Sequence, residues 1–231
     1  MADVKPVRRP AGGRPRLLTR GQVVDATVRL GLEGFTMKRV AAELGVTIAT
    51  LYQYVADRDE LLRLAVTQRM ESLPLPADIG QHWSVFLRDF AQVLQSLLSS
   101  DPNILVRFIH GDYGLETEIQ LVQDFLEIMS RRGFAPEDAV QIMQQVAGAA
   151  CGAAAVTCRD QVTVEQAGSL AQGLHEALAL YPPEELPLVR QVEAQYGAPR
   201  DLLVLALIEP LIEQIARRRG ESLPEVEGAA R

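Results

Sequence analysis

Cysteine is scarce: two in 231 residues, too few to staple a fold with disulfides. Histidine is nearly as rare, and His82, His110 and His175 show no metal-ligand spacing. A Gly-rich phosphate loop, an HExxH helix and a GxSxG elbow are all missing, so no enzymatic chemistry is visible and no cofactor or metal is expected. Sustained polar–apolar alternation, the mark of strands, is absent as well. No apolar run of about 18 residues stands out, which predicts no membrane span. The first sixteen residues, MADVKPVRRPAGGRPR, are basic without an apolar stretch, which is no secretory signal. The expectation is a cytoplasmic, all-α protein.

Charge is what the sequence has, unevenly placed. The formal net charge is −7, an average that argues against a polyanionic partner. Residues 1–70 carry twelve Lys/Arg against seven acids, a balance of +5. The other eleven basic and twenty-three acidic residues give −12. Such asymmetry points to one part made for a polyanion and another made for something else.

Residues 1–18, rich in Arg, Pro and Gly, read as a flexible arm. A helical pattern begins at Thr19, where Thr19 with Gln22 fits a capping box, and runs to about Leu32 with Val23, Ala26, Thr27 and Leu30 inward. Thr36 should cap a second helix that ends at Leu44, with Gly45 as its stop. A third short helix spans Thr47 to about Tyr54. Asp57 with Glu60 is a second capping box opening a longer helix. Residues 19–66 then form one unit, 67–220 a larger helical one, and 221–231 a disordered tail.

Two short helices joined by a Gly-containing turn can place the second in the DNA major groove, provided its outer face is polar and aromatic. Thr47, Ile48, Ala49, Thr50, Tyr52, Gln53 and Tyr54 satisfy that, leaving Leu51 and Val55 to face inward. An ordinary helical hairpin has the same spacing. Residues 13–62 carry further features at fixed distances: Gly34-Phe35-Thr36, Val40-Ala41, Leu44-Gly45-Val46, Thr50-Leu51-Tyr52, Tyr54-Val55, Arg58 and Leu61-Leu62. Together they resemble the DNA-binding domain of the TetR family of bacterial transcriptional repressors, and the Gly13–Arg16 and Thr50–Val55 stretches are similar to the branch nearest the tetracycline repressor.

The resemblance implies a residue-by-residue interface. Thr36 would meet a phosphate at a helix N-terminus. Lys38 would read a base edge or hold a phosphate. Thr47, Ile48, Ala49 and Thr50 would form the exposed first turn of the recognition helix, with methyls suited to thymine. Tyr52 would anchor a phosphate or serve mainly as a core residue, and Gln53 would read adenine. Tyr54 would anchor a phosphate or touch a base, and Arg58 would pair with phosphate. Arg14 and Arg16 would enter the minor groove or follow the backbone, unless the arm is only a solubilising tail. One recognition helix reads few base pairs, so a palindromic operator and a homodimer follow.

The acidic remainder should supply that dimer. Expected helices are 83–100, 103–110, 115–132 (Ile119, Val122, Phe125, Leu126 and Met129 inward), one from Pro136, one over 163–180, and one over 199–218 kinked at Pro210. Residues 136–158 and 199–218 are the candidates for a four-helix dimer bundle, the latter along Leu203, Leu207, Leu211 and Ile215. The resemblance implies a small-molecule inducer bound within the helices. Trp83, Phe86, Phe90, Phe108, Tyr113, Phe125, Met129 and Met143 could line its pocket or simply be core, with His110, near Asp112, a polar contact or metal site or simply a satisfied or exposed histidine. Cys151 and Cys158 lie about 10 Å apart along one helix, too far to pair with each other, and are either inert thiols or partners across a dimer. The function expected is a ligand-responsive repressor. The alternatives are an activator, a ligand-independent regulator, or a helical small-molecule-binding protein without DNA function.

Overall fold

The structure, a computed structural model, describes residues 18–224. Among them every regular element is a helix. Arg14, Arg16 and the final residues from 225 lie outside the described residues.

The first four helices are set by their caps. α1 (Arg20–Leu30) opens with the complete Thr19/Gln22 capping box. α2 (Met37–Leu44) starts at Thr36, whose hydroxyl accepts from Arg39 N at 3.2 Å. It stops at Gly45, which takes the left-handed conformation (φ +66°) that a side chain would oppose. α3 (Ile48–Leu51) is shorter than expected. From Gln53 the chain bonds three residues back, Gln53 N to Thr50 O and Tyr54 N to Leu51 O, so the winding tightens and ends the helix early. α4 (Arg58–Glu71) begins at Asp57, which accepts from Glu60 N at 2.8 Å. The reciprocal half of the box is displaced: the Glu60 carboxylate takes Ala56 N, not Asp57 N, and also pairs with Arg20. Val23, Ala26, Phe35, Val40, Leu51, Val55 and Leu61 close the core between these helices.

A linker through Leu73–His82 leads to α5 (Trp83–Ser99), the central helix, followed by α6 (Pro102–His110), α7 (Leu115–Arg131) and α8 (Pro136–Ala167). α8 runs 32 residues, without the break expected before 163; Gly168 (φ +81°) ends it. The expected 163–180 helix is therefore the end of α8 plus the separate α9 (Leu170–Leu178). Ala139–Cys158 within α8 carries no charge, and by length and composition this helix could cross a bilayer. Ala139, Ile142, Val146, Ala150, Ala153 and Ala154 of this helix are buried in the protein core. The short α10 (Pro187–Gln191) and α11 (Glu193–Tyr196) lead to α12 (Leu203–Arg219).

Two registers differ from expectation. Ile119 is 64% exposed; α7 buries Phe125, Ile128 and Met129 near its C-terminal end instead. On α12 the buried line is Val204, Ile208, Ile212 and Ile215. The expected Leu203–Leu207–Leu211 line is rotated outward, with Leu207 exposed. Pro210 sits inside α12 without ending it.

Candidate nucleic-acid interface and helical body

Gly45, in the left-handed conformation, turns the chain from α2 into α3, and the two helices pack on each other. Thr36, Lys38, Thr47, Ile48, Ala49, Tyr52 and Gln53 are all exposed there. Thr50 is half-buried; its hydroxyl lies 2.9 Å from that of Thr47, which also accepts Thr50 N. Tyr54 is half-buried against the core, and Tyr52 is open. Arg58 donates from Nε to Phe35 O at 3.2 Å and lies over the Phe35 ring, holding the start of α4 against the residue before the Thr36 cap. Of the described candidate DNA contacts, Thr50 and Tyr54 are half-buried and the others are exposed.

The aromatic set of the body divides. Phe86, Phe90 and Phe125 are fully buried and pack on one another, with ring centroids 5.1 to 6.4 Å apart. Trp83 is buried further along α5, donating to Glu221 at 2.6 Å and meeting Phe134 edge-on. Met129 and Met143 are buried as well. Phe108, in the last turn of α6, stacks on Tyr113 just past its end, with ring centroids 5.8 Å apart. Burial, with Glu118 contributing second, pushes the Tyr113 hydroxyl up to about 12. His110 is exposed.

Three hollows open elsewhere. One of about 350 Å3 lies between the start of α8 and the end of α12, among Asp138, Gln141, Gln145, Leu211, Gln214 and Arg218. One of about 370 Å3 lies where Met70, Glu71, Leu73 and Leu75 face Thr117, Leu121 and Asp124 of α7. A third, about 420 Å3, lies between α8 and the segment leading to α12. None is lined by the aromatic set.

Outer faces are also left uncovered. Gln141, Gln145, Gly148, Gly152, Ala155 and Val162 form an exposed stripe on α8, spaced alternately by four and three residues except at position 159, where Arg159 is exposed too. Leu207 is exposed on α12 beside half-buried Leu203 and Leu211. Both candidate dimer helices therefore present a free face. Cys151 and Cys158 are half-buried on α8, and burial pushes both thiols up, away from the reactive thiolate. Among the described residues no group of three or more His, Cys, Asp or Glu side chains could hold a metal ion.

Several polar anchors had no sequence signal, since only tertiary packing brings their partners together. Arg88 on α5 is buried and bound by both Glu209 oxygens, at 2.6 and 2.8 Å. Asp78 in the linker binds Arg131 and Arg132 at the end of α7. The Arg132 hydrogen bond, followed by that from Arg131, holds its carboxyl well below the usual range. Arg107 on α6 is buried and reaches Asp59 on α4 and Asp112.

No family model matches the chain. Over 103 residues it is 39% identical to the transcriptional repressor DrrR1 of Streptomyces coeruleorubidus, covering 42% of this chain and 38% of that protein. Over 144 residues it is 29% identical to the class D tetracycline repressor of Escherichia coli, covering 59% of this chain and 65% of the relative. The chain thus spans less than two thirds of the length of either. In fold it is similar to the TetR family protein ActR of Streptomyces coelicolor, solved with actinorhodin: TM-score 0.61, 20% identity, 86% of this chain and 98% of that one. The helix-turn-helix and the helical body agree with these likenesses: the chain is similar in sequence to TetR-type repressors and has the fold of a TetR family protein.

Proposed function

We propose that the protein is a transcriptional repressor that binds a palindromic operator as a homodimer and leaves it when a small molecule enters the helical body. Residues 19–66 are the reading unit, and 67–220 carry ligand and dimer. The reading is of a binding protein working in the cytoplasm, not of an enzyme. The observation that carries it is the exposure of Thr36, Lys38, Ile48, Ala49, Tyr52 and Gln53 on and beside two short helices joined at the left-handed Gly45. A polar and aromatic face on a short helix suits a groove about 12 Å wide. The free faces of α8 and α12 suit a four-helix bundle with a second copy, which would pair two recognition helices. The relatives' names support repression, and the actinorhodin-bound structural neighbour supports a small-molecule ligand.

The test is binding of the purified chain to the DNA flanking its own gene, measured by gel shift across a salt series. A discrete shift on a palindrome, much tighter than on bulk DNA, is expected. Equal affinity for every sequence at low salt refutes the repressor reading. Arg14 and Arg16 belong to the same proposal: deleting residues 1–16 should weaken binding and reduce its salt slope.

A further inference from the structure

α4 begins with three carboxylates in a row of four residues: Asp57, Asp59 and Glu60. They stand at the end of α4 that Arg58 holds against Phe35, next to the Thr36 cap. That is the side on which the proposed function, which this inference rests on, places the DNA phosphates. Unopposed negative charge there repels the backbone over about 10 Å at ordinary salt. Two of the three are answered within the N-terminal helices: Asp57 accepts Glu60 N as the α4 cap, and Glu60 accepts Ala56 N and pairs with Arg20 of α1. The third is answered from outside. Asp59 is 77% exposed, and its partner is Arg107 of α6, in the body.

Arg107 is placed for this. Its side chain is only 10% exposed, so its guanidinium is held in position. Asp112, just past the end of α6, takes a second edge at 3.4 Å. One turn earlier on α6, Asn103 donates to Leu32 O in the turn between α1 and α2. The face of α6 bearing Asn103 and Arg107 therefore meets the reading unit both at α4 and at the turn between α1 and α2.

We propose that Arg107 sets DNA affinity without touching DNA, by cancelling the Asp59 carboxylate at the DNA-facing end of α4. A shift of α6 that withdraws the guanidinium uncovers one negative charge beside the phosphates. The body then weakens DNA binding through charge, whether or not the recognition helices move.

A double-mutant cycle separates this from a mechanical tie. The wild-type chain, Arg107→Gln, Asp59→Asn and the double variant are titrated by fluorescence anisotropy against a duplex selected from random sequence by the wild-type chain. Titrations are run at low and at physiological salt, with circular dichroism confirming the fold. Arg107→Gln is expected to bind roughly fivefold more weakly at low salt, with a smaller loss at higher salt. Asp59→Asn, a change at an exposed residue, should bind as well as wild type or better. The double variant should recover to the Asp59→Asn value. If Asp59→Asn weakens binding as much as Arg107→Gln, the bridge is a tie and the proposal is overturned. An unchanged affinity in Arg107→Gln overturns it too. Failure of the wild-type chain to select any duplex instead removes the DNA-binding reading beneath it.

Discussion

The Arg88–Glu209 pair fastens the last helix to the centre of the body, and its removal has a calculable effect. Arg88 is 8% exposed and donates three bonds, two to the Glu209 carboxylate and one to Ser84 Oγ at 3.2 Å. Truncating one partner of a buried pair strands the other charge, at about 3–5 kcal/mol. The Glu209 side chain is 37% exposed, so water reaches its edge of the pair. With that discount, Glu209→Ala should cost about 2 kcal/mol. In a chain of this size that lowers Tm by roughly 4–8 °C. Arg88→Met removes the charge while keeping the stem's volume, so Arg88→Met/Glu209→Ala should be more stable than Glu209→Ala alone. Urea unfolding of the four proteins, at one fixed concentration because a dimer's stability depends on it, gives the cycle. A coupling below about 0.5 kcal/mol, the level of an exposed pair, would refute a stranded charge.

Three further outcomes are expected. Gly45→Ala should destabilise the chain by about 1–2 kcal/mol, because a Cβ at φ +66° is strained although nothing lies within 4 Å of it; an unchanged urea midpoint contradicts this. Leu207→Arg, on the free face of α12, should leave secondary structure intact and lower the mass seen by light scattering from dimer to monomer; an intact dimer removes Leu207 from the interface. The Asp78 carboxyl is held below its ordinary 3.8 by Arg132 and then Arg131, so its contribution is complete above that value and lost as pH falls below it. Asp78→Asn should therefore lower stability at pH 7 and flatten the acid limb of a stability–pH curve; an unaltered limb shows that the pair contributes nothing.

The N-terminal helices were legible because their signals are local. Thr19, Thr36, Asp57 and Gly45 act on backbone groups within four residues, so sequence order alone reveals them. The early end of α3 was not legible, since its tightened turn follows the packing of Leu51 and Val55 rather than any breaker residue. In the body, apolar residues are so dense that several faces look buried. Ile119 and Leu207 belong to stripes that the pattern offered equally with the true ones, and only the neighbouring helices decide between them. The exposure of Lys38, Ile48, Ala49, Tyr52 and Gln53 was legible for the same local reason as the caps. The polar anchors Arg88, Arg107 and Asp78 were not, because their partners lie 121, 48 and 53 residues away in sequence.

The linker anchor has a mechanical consequence. Between Ser72, which caps α4, and Asp78, which is fixed to the end of α7, only five residues intervene; Pro74 and Pro76 are two of them, and Leu73 and Leu75 pack against the core. Fully extended, that tether reaches roughly 20 Å, and each proline fixes one of its torsions. α4 is thus a rod on a short leash. Its far end can swing, but the whole helix cannot drift from the body, so any displacement imposed near Glu71 is delivered to Asp57 as a change of angle.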